Sequence, residues 1–151
     1  MVKSIGKKVK TAVFISGRGS NLQSLIKYSK TKNSLIDIKL IISNKSNAKG
    51  LMYAKKSKIK FSVISYKNRS ISENKIFDKL FKKKITLICL AGYMKILSNK
   101  FINKFKKKKT KTSFINIDCD LEQSVSESLN FSSKFIVDGT ILYIDDYYNV
   151  Y

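Results

Sequence analysis

Ile15-Ser16-Gly17-Arg18-Gly19-Ser20-Asn21-Leu22-Gln23-Ser24-Leu25-Ile26 joins two kinds of sequence with different periods. The run that enters it, Thr11-Ala12-Val13-Phe14-Ile15, is apolar and partly β-branched, as a buried strand requires. The residues that leave it put Leu22, Leu25 and Ile26 on one helical face, with Ser20 or Asn21 as the expected N-cap. Between the two stand Gly17, Gly19 and Ser20, small enough to let backbone approach a ligand. A loop of this kind, leaving a parallel strand and opening a helix, aims backbone N–H groups and the positive end of the helix dipole at one point. An anion is expected there, and a phosphate fits best; the alternative is a tight turn that binds nothing. Gly17-x-Gly19 lacks the third glycine of the dinucleotide fingerprint, and the stretch is not GxxxxGK[ST]. On the ligand reading, valine at Gly19 would block the anion's approach.

Further along, short apolar runs recur at Ile36–Ser43, Phe61–Ser65 and Ile85–Ala91, separated by helix-compatible segments. Helices are expected to begin after Asn47 (packing Leu51, Met52 and Ala54), near Ser72 (Ile76, Phe77, Leu80 and Phe81) and at Ser98 (Phe101, Ile102 and Phe105). Lys106–Lys109 reads as a solvated helix end. Strand alternating with helix predicts an α/β fold: a parallel sheet with helices on both faces, its first loop at the carboxyl edge where ligands bind in such sheets. The length, 151 residues, suits one domain with a real core.

Composition narrows the function. The net charge is +21, yet of 31 basic residues only Arg18 and Arg69 are arginine. Nucleic-acid readers concentrate arginine and interleave aromatics, whereas lysine spread over nearly every predicted surface, with abundant Ile and Asn and no proline or tryptophan, fits AT-rich coding. No specific nucleic-acid partner is expected. The two cysteines, Cys89 and Cys119, suggest neither a disulfide framework nor a metal site. With no histidine, imidazole ligation and imidazole acid–base chemistry are excluded for these residues. No apolar run is long enough to span a membrane, and the expected compartment is the cytoplasm.

Three blocks carry a family resemblance: Ile15–Gln23 (ISGRGSNLQ), Ile42–Leu51 (ISNKSNAKGL) and Leu90–Ser98 (LAGYMKILS). In wording, order and spacing they resemble successive signature segments of the phosphoribosylglycinamide formyltransferases, over about residues 10–117. The resemblance implies a Rossmann-like formyltransferase fold and formyl transfer from 10-formyltetrahydrofolate, as co-substrate, to the amine of glycinamide ribonucleotide. Carried over by position, Gly19, Ser20 and Asn21 match the loop for the ribonucleotide phosphate. Met94, Lys95, Ile96 and Leu97 match the lining of the folate pocket, and Arg69 corresponds loosely to a folate-contacting arginine, with a solvated loop arginine as the plain alternative. Asn116 fits the asparagine that polarises the formyl carbonyl.

Where the family reads Asn-Ile-His-Pro-Ser, this chain reads Asn116-Ile117-Asp118-Cys119-Asp120. Asp118 stands in the position of the catalytic histidine, and a carboxylate ionised at neutral pH repels an oxyanion instead of donating a proton to it. Gly139–Ile144 faintly resembles a later family strand, but no Asp-Gly-Gly follows it, and the family chain continues for some tens of residues more. Charge breaks at the same place: residues 113–151 hold Lys134 as their one basic residue and seven of the ten acids. The expected organisation is a single formyltransferase-like domain over 1–151, family-like to about 117, with an incomplete C-terminal part and a divergent tail at 118–151. A tail joined or frame-shifted after about residue 112 is the alternative. Two functional classes follow: a formyltransferase of purine biosynthesis with an impaired active site, or a non-catalytic phosphate- and folate-binding remnant, or mis-joined fragment, of that enzyme. The sequence fixes no oligomeric state.

Overall fold

The computed structural model describes residues 8–105 apart from 33 and 35, and the backbone of 106, 114–117 and 141–144. The chain divides into two units, 1–108 and 109–151. In the first unit the expected alternation is present: strand β1 (Val9–Ile15), helix α1 (Ser20–Ser29), β2 (Ile36–Ser43), α2 (Leu51–Lys56), β3 (Phe61–Val63), α3 (Arg69–Lys82), β4 (Leu87–Leu90) and α4 (Asn99–Lys106). The four strands form one sheet in the order β3-β2-β1-β4, and every pairing is parallel.

That order places the helices. Right-handed crossovers from β1 to β2 to β3 run one way along the sheet, and the crossover from β3 to β4 runs back past β1. So α1 and α2 cover one face and α3 the other. Residue alternation agrees: Ala12 and Phe14 of β1 join Leu40 and Ile42 of β2 in a core with Ile76, Phe77 and Leu80 of α3 and Phe101 of α4. Val13 and Ile15 point away from that core and are fully buried too, the pattern of a parallel sheet covered on both sides.

Several local expectations are corrected. Helix α3 begins at Arg69, three residues before Ser72, because the Asn68 side chain accepts the Ile71 N–H and caps it. Helix α2 begins at Leu51, after a turn in which Ala48 N–H bonds to Lys45 O. Met52, Phe81 and Ile102, expected to pack inward, are exposed; each lies beside the narrow stripe that its helix buries. Ser98 takes its expected place at the head of α4, its hydroxyl accepting the Phe101 N–H at 3.1 Å.

In the second unit, β5 (Phe114–Ile117) and β6 (Ile141–Ile144) pair in parallel, with Phe114 opposite Ile141. The strand expected at Gly139–Ile144 is therefore present as β6. Among the described residues no helix is long and apolar enough to cross a membrane.

Candidate functional site

β1 lies at the point where the strand order reverses, between β2 and β4. Loops leaving the carboxyl ends of β1 and β4 diverge there to opposite faces and open the crevice in which α/β sheets bind ligands. The loop after β1 carries Gly19, Ser20 and Asn21; the loop after β4 carries Met94, Lys95, Ile96 and Leu97. Two segments read separately in the sequence thus meet across one switch point.

One residue joins them. Ser16, 2% exposed, donates its hydroxyl to Asn44 Oδ1 at 2.5 Å and accepts the Met94 N–H at 2.8 Å, while its own N–H donates to Gly92 O at 3.1 Å. A single buried side chain therefore fixes the ends of β1, β2 and β4 relative to each other. Sequence reasoning passed over Ser16 and Asn44; the available signal was a polar residue directly after each of two apolar strands, Ile15-Ser16 and Ser43-Asn44.

On the β1 side, Gly19 and not Ser20 or Asn21 is the N-cap of α1; its φ is 80°, and no side chain caps the helix. The reason is close approach of backbone. Gly50 N–H donates to Gly17 O at 3.0 Å, and a Cβ on Gly19 would overlap the Gly50 Cα and meet the Tyr53 ring at 3.4 Å. Valine at Gly19 would strike Gly50 whether or not an anion binds beside the loop, so its effect on ligand binding is not separable from its effect on the fold. Ser20, in contrast, is exposed at the helix N-terminus.

On the β4 side, Met94 and Ile96 are 71% and 80% exposed, an unusual display of apolar surface beside a loop held by buried polar bonds. Beneath the loop lies Glu73 of α3, 7% exposed. Its carboxylate accepts Ser98 N–H at 2.7 Å, the Tyr66 hydroxyl at 2.6 Å and the Ser98 hydroxyl. Burial pushes the Glu73 carboxyl up, but the bonds from Ser98 and Tyr66, helped by the positive Arg69, outweigh it and hold it below its ordinary value. The same contact raises the Tyr66 hydroxyl, through burial first and Glu73 second. Arg69 opens α3, exposed, and acts electrostatically on Tyr66 and Glu73. This brings it to the network under the Met94–Leu97 loop, in a helix and not in a loop.

Tyr93 packs edge-on against Phe14 at 5.2 Å and Tyr66 at 6.3 Å, and its buried hydroxyl has no hydrogen-bond partner among the described residues. Desolvation pushes that hydroxyl up to about 12. Leaving such a group unbonded costs about 1–3 kcal/mol. Tyr93→Phe is therefore expected to stabilise the fold by about 1 kcal/mol, read as a higher urea midpoint with an unchanged slope; a lower midpoint would show that the hydroxyl is satisfied.

A cavity of about 440 Å³ lies at the other edge of the sheet, among Lys58, Lys60, Phe61, Lys79, Lys82 and Lys83, remote from both loops. Asn116 belongs to β5, whose backbone alone is described, and Asp118 lies outside the described residues.

Residues 9–117 match the formyl transferase family model. The trifunctional purine biosynthetic protein adenosine-3 of Bos taurus is 43% identical over 105 residues, 68% of this chain and 10% of that protein. The phosphoribosylglycinamide formyltransferase of Haemophilus influenzae is 42% identical over 99 residues, 64% of this chain and 47% of that protein. Crystal structures of phosphoribosylglycinamide formyltransferase from Anaplasma phagocytophilum (TM-score 0.61, 38% identity, 68% of this chain and 48% of that one) and Brucella melitensis (0.63, 33%, 66% and 54%) have the same fold. The chain thus spans about half the length of these single-function relatives. With the switch-point crevice, the parallel sheet and the match over residues 9–117, the chain belongs to the formyl transferase family.

Proposed function

We propose that this protein is a phosphoribosylglycinamide formyltransferase-like protein of purine biosynthesis that binds glycinamide ribonucleotide and 10-formyltetrahydrofolate on either side of the β1/β4 switch point. The observation that carries this reading is the Ser16 junction, which ties the glycine loop to the Met94–Leu97 loop across a single crevice. Gly19, Ser20 and Asn21 take the ribonucleotide phosphate at the uncapped N-terminus of α1, where the helix dipole favours an anion. Met94, Lys95, Ile96 and Leu97 take the folate: the exposed Met94 and Ile96 side chains suit a flat ring, and the loop backbone offers polar groups for its edge. Arg69 contributes positive charge on the same side. The folate supplies the activated formyl group, and the protein holds it near the ribonucleotide amine, because placing two reactants in register removes much of the cost of a bimolecular step. Asn116 has the role of polarising the formyl oxygen.

Ser20→Asp tests the phosphate half without disturbing the Gly19–Gly50 contact. A carboxylate at the first turn interacts favourably with the dipole, by about 0.3–1 kcal/mol, so the variant should be as stable as the wild type or slightly more so. It should also repel a phosphate. The expected result is a rise in melting temperature with glycinamide ribonucleotide or ribose 5-phosphate for the wild type and none for Ser20→Asp, at about 0.2 M salt, where diffuse attraction to lysine is screened. An equal rise in both would move the phosphate away from this loop.

The second reading, a protein that binds both ligands without turnover, is favoured by one observation: these 151 residues contain no histidine. Ligand binding without product formation would establish it.

A further inference from the structure

We propose that Glu73 is a positioning residue that fixes the Met94–Leu97 segment, and with it the folate side of the crevice, by anchoring the segment's exit into α4. The proposal rests on the reading of that segment as the folate site, but its physical content is a claim about the segment itself.

The segment is held at two points. Its entrance is held by Ser16, through Gly92 O and Met94 N–H. Its exit is held by Glu73, which takes both the N–H and the hydroxyl of Ser98. Ser98 is the hinge of this arrangement: its hydroxyl donates to Glu73 while accepting Phe101 N–H, so the carboxylate also orients the cap of α4. Tyr66 braces the middle, donating to Glu73 at 2.6 Å with its oxygen 3.4 Å from Ile96 O. Three donor groups thus converge on the two oxygens of a buried carboxylate, from partners that are themselves half-buried. A neutral amide is a weaker substitute: its one oxygen can accept from Ser98 N–H and Tyr66, but its NH₂ group must turn the Ser98 hydroxyl from donor to acceptor, and the bonds lose the strength that the carboxylate charge gives them. The chain gives a compositional hint as well: Glu73 is one of three acids among the first 112 residues, with Asp37 and Asp78, and of the three it is the buried one. A buried carboxylate in a strongly basic protein needs a local reason, and the bonds to Ser98 and Tyr66 supply it.

The test compares wild type, Glu73→Gln and Ser98→Ala in the full chain by amide hydrogen exchange, with titrations of 5-formyltetrahydrofolate and ribose 5-phosphate. In Glu73→Gln, exchange at residues 94–98 should accelerate by about 10-fold or more, the size expected for losing hydrogen bonds to a charged group. Exchange in β1 and at Gly19–Asn21 should not change. The folate dissociation constant should rise by a similar factor while the ribose 5-phosphate response stays at the wild-type level. Ser98→Ala keeps Glu73 and the Ser98 N–H but removes the hydroxyl; it should give an intermediate acceleration across 94–98 and serves if Glu73→Gln does not fold. Acceleration confined to residues 99–102 would reduce Glu73 to supporting a helix cap and overturn the proposal, as would unchanged exchange at 94–98. If wild type binds no folate, the folate reading fails while the exchange data still decide the anchoring.

Discussion

Alanine at Gly19 is expected to destabilise the protein by roughly 2–5 kcal/mol, combining the cost of a left-handed backbone for a residue with a Cβ with that of forcing a methyl group into packed backbone. Both contributions are visible in the loop: φ is 80°, and the new Cβ would overlap the Gly50 Cα. Gly17→Ala is the matched control, since a Cβ there meets nothing within 4 Å and its φ is not positive. The control should lose little. Gly50→Ala should fall between them, because its backbone is right-handed, with φ −58°, but its Cβ would lie 2.9 Å from Ile15 Cδ1. Urea denaturation of the three variants gives the ranking. Equal midpoints for Gly19→Ala and Gly17→Ala would mean that the two loops do not pack backbone to backbone.

Formyl transfer by the purified protein is expected to be about 10²- to 10⁴-fold slower than that of the Haemophilus influenzae enzyme, the usual penalty for losing a general acid or base. The expected cause is Asp118, which by resemblance stands in the position of the family's histidine, in a sequence of 151 residues without any histidine. Positioning and Asn116 can sustain a residual rate, since proximity contributes independently of proton transfer. Asp118→His alone should restore little, because groups that act as a unit do not recover one at a time and the Asp-Gly-Gly segment is also absent. A full rate in the unmodified protein would show that another group, such as Asp118 or Asp120 with a raised pKa, is the acid.

Much of the fold is legible because the strands are short apolar runs bounded by polar residues. Thr11–Ile15, buried without a break, shows this most plainly, whereas Ile36–Ser43 opens with alternation, Asp37 and Lys39 standing between buried Ile36, Ile38 and Leu40. Helix starts were less legible. Asn68 is the effective cap and Ser72 is not: the Ser72 hydroxyl, with one proton to give, lies within reach of Ser65 O at 2.7 Å and Asn68 O at 2.6 Å. Met52, Phe81 and Ile102 are apolar enough to suggest core positions, yet each falls outside the stripe that its lysine-rich helix buries and is exposed. Of the site, the two loops were legible from local sequence and from family resemblance. Their joining was not, since Ser16 reaches Met94 over 78 residues and Glu73 reaches Ser98 over 25. Gly19 shows the same limit from another side. Local sequence suggests why a glycine is useful there, and only the approach of Gly50 shows why nothing larger fits.

The strand order also sets a schedule for folding. β1 can pair with β2 as soon as residue 43 is available, but its other side must wait for Leu87–Leu90, which follow two more crossovers. Until then β1, buried from Thr11 to Ile15 in the finished sheet, carries an open row of N–H and C=O groups from Thr11 to Phe14, the kind of edge on which nascent chains pair with each other. Parallel pairings between distant segments form slowly, which lengthens that exposure. The basic residues bear on this interval: thirty of the 31 lie in the first 112 residues, so partly folded copies carry a large like charge and repel one another while they are most prone to aggregate.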